Sequence, residues 1–150
     1  MDEEARLKLQ RPLDDYIEYF EKLTPRSVGV VEKLAAPGIR FKDPFNDVQG
    51  VDAFQRVFEH MFENVEKPKF KVTDSSWSRQ QDRTAYLRWV FTYSMNGNAR
   101  KVEGLSAVMF SNDGLVMSHI DFWDAAENFY ENIPVLGAMI RFVKSKLKVE

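Results

Sequence analysis

Residues 84–124, TAYLRWVFTYSMNGNARKVEGLSAVMFSNDGLVMSHIDFWD, decide how the chain folds. Within them Thr84 to Met95, Arg100 to Ser111 and Leu115 to Asp124 carry the period of two that marks half-buried strands. The separators Asn96-Gly97-Asn98 and Asn112-Asp113-Gly114 contain Asn-Gly and Asp-Gly, pairs that tolerate the positive φ of tight hairpin turns. Just upstream, Phe70 to Gln80 reads as one more strand, set off by Gln81-Asp82-Arg83. Sequential strands joined by turns this short form an antiparallel meander.

Before Pro68 the period is helical. Phe54, Val57, Phe58, Met61, Phe62 and Val65 make a wide apolar face, and Asp52 with Gln55 resembles a capping box ahead of it. Leu13, Tyr16, Ile17, Phe20 and Leu23 form an earlier helical stripe. After Thr24-Pro25, Val28, Val31, Leu34 and Ala35 predict a second short helix, stopped by Ala36-Pro37-Gly38. Ile39 to Asp43 predicts a brief strand and Pro44 to Gly50 a loop. Residues 1–12 are charged and lack a period, which predicts a loose arm. Residues 125–150 predict a helical tail, bent at Pro134, with a basic end at Arg141, Lys144, Lys146 and Lys148. Helices first and meander second make the class α+β, as one domain over residues 1–150.

Composition narrows the function. Cysteine is absent, so disulfides and thiolate metal sites are excluded, and a reducing, cytoplasmic location is expected. The acidic start Met1-Asp2-Glu3-Glu4 is unlike a signal peptide, and no run approaches the roughly 18 apolar residues of a membrane span. Net charge is −2 with the signs interspersed, which argues against nucleic acid as a partner. Only two histidines are present, with no His-x-His, so no metal site is expected. The basic tail helix leaves room for packing over a subunit boundary or the pocket mouth, for a partner helix, or for weak contact with a membrane surface.

A wide sheet covered by a few short helices leaves a concavity, and concavities are where ligands sit. One face of strand 84–95 carries Leu87, Trp89, Phe91, Tyr93 and Met95. The last strand presents Met117, His119, Asp121 and Trp123 on one face, apolar at its ends and polar in its middle. His119 and Asp121, at i and i+2, are placed for a proton relay or coupled titration. Asp43, at a strand end beside an apolar hollow, has the setting of a proton acceptor and equally that of a turn residue before Pro44. Tyr16 and Tyr19 both lie near the first helix's apolar stripe, and either is placed to enter the hollow. His60 and Asp47 are expected in solvent, and Arg88 has the wrong strand parity for the pocket face.

From about Tyr16 to Asp124 this layout resembles the NTF2-like superfamily, and within it the ketosteroid isomerase and SnoaL-like cyclase group. The resemblance is carried by Phe41-Lys42-Asp43-Pro44-Phe45, ending at Gly50 before the long helix, by the Tyr19-to-Asp43 spacing, and by Trp123 on the last strand. It implies a cone whose curved sheet wraps the N-terminal helices, here with an extra C-terminal helix. It further implies Asp43 as general base, Tyr19 or Tyr16 polarising a carbonyl oxygen, and Asp121 with His119 returning or tuning the proton. Ser106 stands where the isomerases keep a second acid, whereas SnoaL-like cyclases are similar in placing an acid on the last strand. Leu87, Trp89, Phe91, Tyr93, Ser106, Met117 and Trp123, with Tyr16, would hold a small lipophilic ligand, and no cofactor is implied. A non-catalytic binding module is the alternative, and an epoxide hydrolase a third possibility. The resemblance also implies a homodimer, formed through the outer sheet face of Tyr86, Val90, Leu105, Ala107, Met109, Ile120 and Phe122.

Overall fold

The computed structural model describes residues 1–128 and 134–148. Six strands form one sheet in the order β2-β1-β6-β5-β4-β3, with β1 Ala35–Lys42, β2 Asp47–Gln49, β3 Glu66–Trp77, β4 Thr84–Met95, β5 Asn98–Phe110 and β6 Val116–Phe122. β3 to β6 are the expected meander. Asn96 and Gly97 make its tightest turn, with φ of 52° and 77°, values a β-branched residue would not adopt. β1 joins β6 in parallel, which puts the segment before Asp43 beside His119: Phe41 pairs with His119 and Lys42 with Ile120.

Helix α1 runs Glu3–Glu21, so the expected loose arm is helix. Asp2 caps it, its Oδ1 accepting from Ala5 N at 2.8 Å, and Glu3 and Glu4 complement the positive helix end. Pro12 sits inside the helix, packed with Leu9 over the β5–β6 turn. Leu9, Leu13, Tyr16 and Phe20, spaced four, three and four residues apart, bury one continuous stripe. That burial outweighs the hydrogen bond that Pro12 cannot make.

The expected second α-helix is only a 3-10 turn, Val28–Lys33. Thr24 and Ser27 bond each other's backbone there, and the chain is claimed early by the sheet, since Leu34 O accepts from Val116 N at 2.9 Å. β1 therefore starts at Ala35 and passes through Ala36-Pro37-Gly38, where its register against β6 shifts. Helix α2 spans Val51–Asn64 and buries Phe54 and Phe58. Its N-cap is Gly50 with no side-chain cap, and Gln55 bonds Glu32 instead of closing the expected capping box. A short turn, α3 Ala125–Asn128, follows the sheet, and α4 Pro134–Leu147 begins at the proline. Among the described residues, no helix is long and apolar enough to cross a membrane.

The core lies between the concave side of the sheet and helices α1 and α2. On the other side of the sheet Leu105, Met109 and Phe122 are exposed. The edge strand β3 is shielded in its middle by α1, whose Glu21 accepts from Val72 N at 3.1 Å.

Candidate functional site

A cavity of about 320 Å³ opens between α2 and the concave face of β4, β5 and β6. Strand alternation puts Trp89, Phe91, Tyr93 and Met95 of β4 on its wall. Asp121 comes from the end of β6 and Trp123 just after it, while Asp43, Phe45 and Asn46 form the rim after β1. The α2 side, Val57, Phe58, His60, Met61 and Asn64, was not anticipated as wall. Its signal was the breadth of the helix's apolar face, wider than the core it covers. Phe41, Phe70 and Val102 complete the lining. A void of about 20 Å³ lies behind, bounded by Leu87, Ser106, His119, Trp89 and Asp121 among others.

Four residues expected at the cavity, Met117, Tyr19, Leu87 and Ser106, do not line it. Met117 is 40% exposed, because it is the extra residue of a bulge on β6, between the pairs Met109–Ser118 and Phe110–Val116, and Val116 takes the inward position. Tyr19 turns away from the cavity and donates its hydroxyl to Val28 O at 2.8 Å, tying α1 to the 3-10 turn. Leu87 and Ser106 face the small void and not the main cavity. His60 is exposed, as expected, and stands at the rim; Asp47 is exposed and pairs with Arg40 at 2.9 Å.

Tyr16, expected to hold the ligand, also does not line the cavity and instead reaches His119 behind it. It is fully buried, and its hydroxyl lies 2.7 Å from His119 Nδ1. His119 Nε2 lies 2.7 Å from Asp121 Oδ1, and Ser106 Oγ donates to the same oxygen. Trp89 Nε1 in turn donates to Ser106 Oγ at 2.8 Å. The register explains this meeting: Leu87 pairs with Ser106 on β5, which pairs with Asp121 on β6. Gly104, opposite Trp89, leaves room for the indole; a Cβ there would stand 2.3 Å from Trp89 Cζ2.

The network has one direction. An indole N–H only donates, so Ser106 Oγ accepts it and passes its own proton toward Asp121. Burial, reinforced by the Asp121 carboxylate, holds the Tyr16 phenol well above its ordinary range. In the tautomer that donates Nε2–H to the Asp121 carboxylate, Nδ1 accepts from the Tyr16 hydroxyl. Oδ1 thus receives two hydrogen bonds. Oδ2 has no partner among the described residues, and none of the side-chain polar atoms buried there lacks one, so Oδ2 is reached from the cavity. The Asp43 carboxylate lines the rim but is taken up by its own loop: Oδ1 accepts from Phe45 N and Asn46 N, both at 2.7 Å.

The buried phenol gives a pH prediction. Native Tyr16 keeps its proton beyond the ordinary value of 10.0. Above that pH the unfolded chain binds fewer protons than the native one, so this contribution is complete below pH 10 and lost as pH rises past it. The expected slope is up to about 1.4 kcal/mol per pH unit. Urea titrations between neutral and strongly alkaline pH should show a shallower loss in Tyr16→Phe. Tyr19, also raised by burial, keeps some loss of stability with rising pH in the variant.

A family model for the SnoaL-like domain matches residues 16–119. No curated protein matches the sequence. Among solved structures, a putative SnoaL-like polyketide cyclase from Jannaschia is 14% identical, with TM-score 0.66 over 80% of this chain and 90% of its own. An LEH-like epoxide hydrolase from M. tuberculosis is 10% identical, with TM-score 0.63 over 90% and 96%. A protein of ketosteroid isomerase-like fold from Catenulispora acidiphila, in complex with trimethylamine, is 9% identical, with TM-score 0.64 over 78% and 88%. At these identities the likeness is one of fold.

Proposed function

Because the chain belongs to the SnoaL-like domain family and has the NTF2-like, ketosteroid isomerase-like fold, we propose that its cavity binds a small lipophilic molecule and that Asp121 moves a proton beside the ligand's carbonyl. One observation carries this reading: Asp121 is fixed through Oδ1 by His119 and Ser106 while Oδ2 stays open to the apolar cavity. A positioned carboxylate in a water-poor site is a general base. Oδ2 takes the proton from the carbon next to the carbonyl; the C–H electron pair becomes a C=C bond and the carbonyl π pair moves onto oxygen, giving an enolate. Return of the same proton to another carbon completes an isomerisation; attack of the enolate carbon on a second carbonyl closes a ring, and the alkoxide so formed takes the proton back from Asp121. Neither outcome consumes a cofactor.

The roles differ from those the family resemblance implies. Asp121 replaces Asp43 as the base, since the Asp43 carboxylate already serves its loop. Tyr16 and His119 position Asp121. Asp43 acts at the mouth through its charge. The described lining holds two carboxylates and neither lysine nor arginine, which favours neutral or cationic ligands. The absence of an arginine from that lining also weighs against an epoxide hydrolase, and Arg88 is exposed.

The second reading is a non-catalytic binding site for an apolar amine. Aromatic walls with two carboxylates suit a cationic head, and the Catenulispora protein of this fold holds trimethylamine. Proton NMR in D₂O separates the two. Ketones that quench the cavity tryptophans should exchange their α-protons faster with the protein than in buffer. A bound ketone that exchanges at the buffer rate leaves the binding module. The proposed assembly is a homodimer through the outer sheet face, where Leu105, Met109 and Phe122 are exposed.

A further inference from the structure

The last two turns of α4 are not covered by the described parts of the chain: every residue from Arg141 to Lys148 is exposed. Met139, Phe142, Val143 and Leu147 are among the most exposed large apolar residues, at 62%, 64%, 53% and 76%. At about 3.6 residues per turn, Leu136, Met139, Ile140, Val143 and Leu147 share one side, with Phe142 at its margin. Arg141 and Lys148 fall on the far side and Lys144 on the flank beside Ile140. Lys146 falls between Met139 and Phe142, its Nζ 5.4 Å from the Phe142 ring centroid. No acidic residue occurs between Pro134 and Lys148, in a chain whose net charge is −2.

The geometry points to α4 as a docking helix for the surface of an anionic lipid bilayer. An apolar side backed by cations matches the acyl boundary and the acidic headgroups at once. A protein surface would have to supply an apolar groove and acids around it. The helix has 14 residues, too few to span and enough to lie in the interface plane. Lys146, folded over Phe142, has the reach to lift its ammonium to the headgroups as the ring enters. Each basic residue near such a surface adds about fivefold to the partition coefficient.

The test is flotation of the full chain with vesicles of phosphatidylcholine alone, and with vesicles of equal parts phosphatidylcholine and phosphatidylglycerol. The anionic vesicles should carry the protein at least about tenfold better, and added salt should release it. Lys146→Glu with Lys148→Glu, and separately Phe142→Asp, should each lower binding about tenfold or more. All three side chains are exposed, so circular dichroism and thermal midpoint should be unchanged. Equal flotation with both vesicle types, none with either, or binding indifferent to Phe142→Asp overturns the proposal. So does light scattering in which Phe142→Asp halves the mass, which would assign the helix to a second copy.

Discussion

Asp121→Asn is expected to slow proton transfer in the cavity by about 10²- to 10⁴-fold, the range a positioned general base contributes. The fold should survive. Asparagine keeps a carbonyl oxygen in the place of Oδ1, where it accepts from both His119 Nε2 and Ser106 Oγ. The amide nitrogen then takes the position of Oδ2, which is reached from the cavity and can be hydrated. What disappears is the basic oxygen facing the ligand. Asp121→Leu is a different experiment, because it strips the acceptor from two donors in a nearly closed site. Each costs about 1–3 kcal/mol when left unpaired. Loss of exchange with an unchanged urea midpoint in Asp121→Asn, and a lowered midpoint in Asp121→Leu, would separate chemistry from structure.

Phe41→Ala is expected to cost about 3–5 kcal/mol, measured by urea denaturation. Small domains hold about 5–15 kcal/mol in total, so the variant would be close to unfolding at physiological temperature. Phe41 is 1% exposed, and its ring centroid lies 5.4 Å from those of Phe54 and Phe58 and 5.1 Å from that of His119. It separates the aromatic core from the cavity. Removing it takes away packing that holds the His119 ring and enlarges the cavity toward His119. Bulkier ligands should then bind relatively better than in the parent chain. Phe41→Leu, which retains most of the volume, should lose much less.

The meander was legible because its signals are local. Asn96-Gly97 and Asp113-Gly114 need no distant contact to mark a turn, and the alternation of β4 assigns Trp89, Phe91 and Tyr93 to one face directly. Residues 3–12, within the expected loose arm 1–12, are not legible as helix, since Pro12 and scattered charges mask a stripe that burial of Leu9 reveals. Met117 was misassigned because a bulge reverses strand parity without leaving a residue type behind it. Tyr16 and Tyr19 are three residues apart on one helix. Choosing between them needs the position of His119, which depends on the parallel pairing of β1 with β6. Asp43 and Asp121 were both visible as acids near a hollow. Their difference lies in what each carboxylate already binds, and that is a property of the fold.

The most direct test is a crystal structure with a neutral, lipophilic ketone in the cavity. The expected result places the carbon next to the carbonyl against Asp121 Oδ2, with Oδ1 still bonded to His119 and Ser106. A ketone bound outside the cavity, or an Asp121 turned away from it with both oxygens satisfied by the protein, would contradict the account.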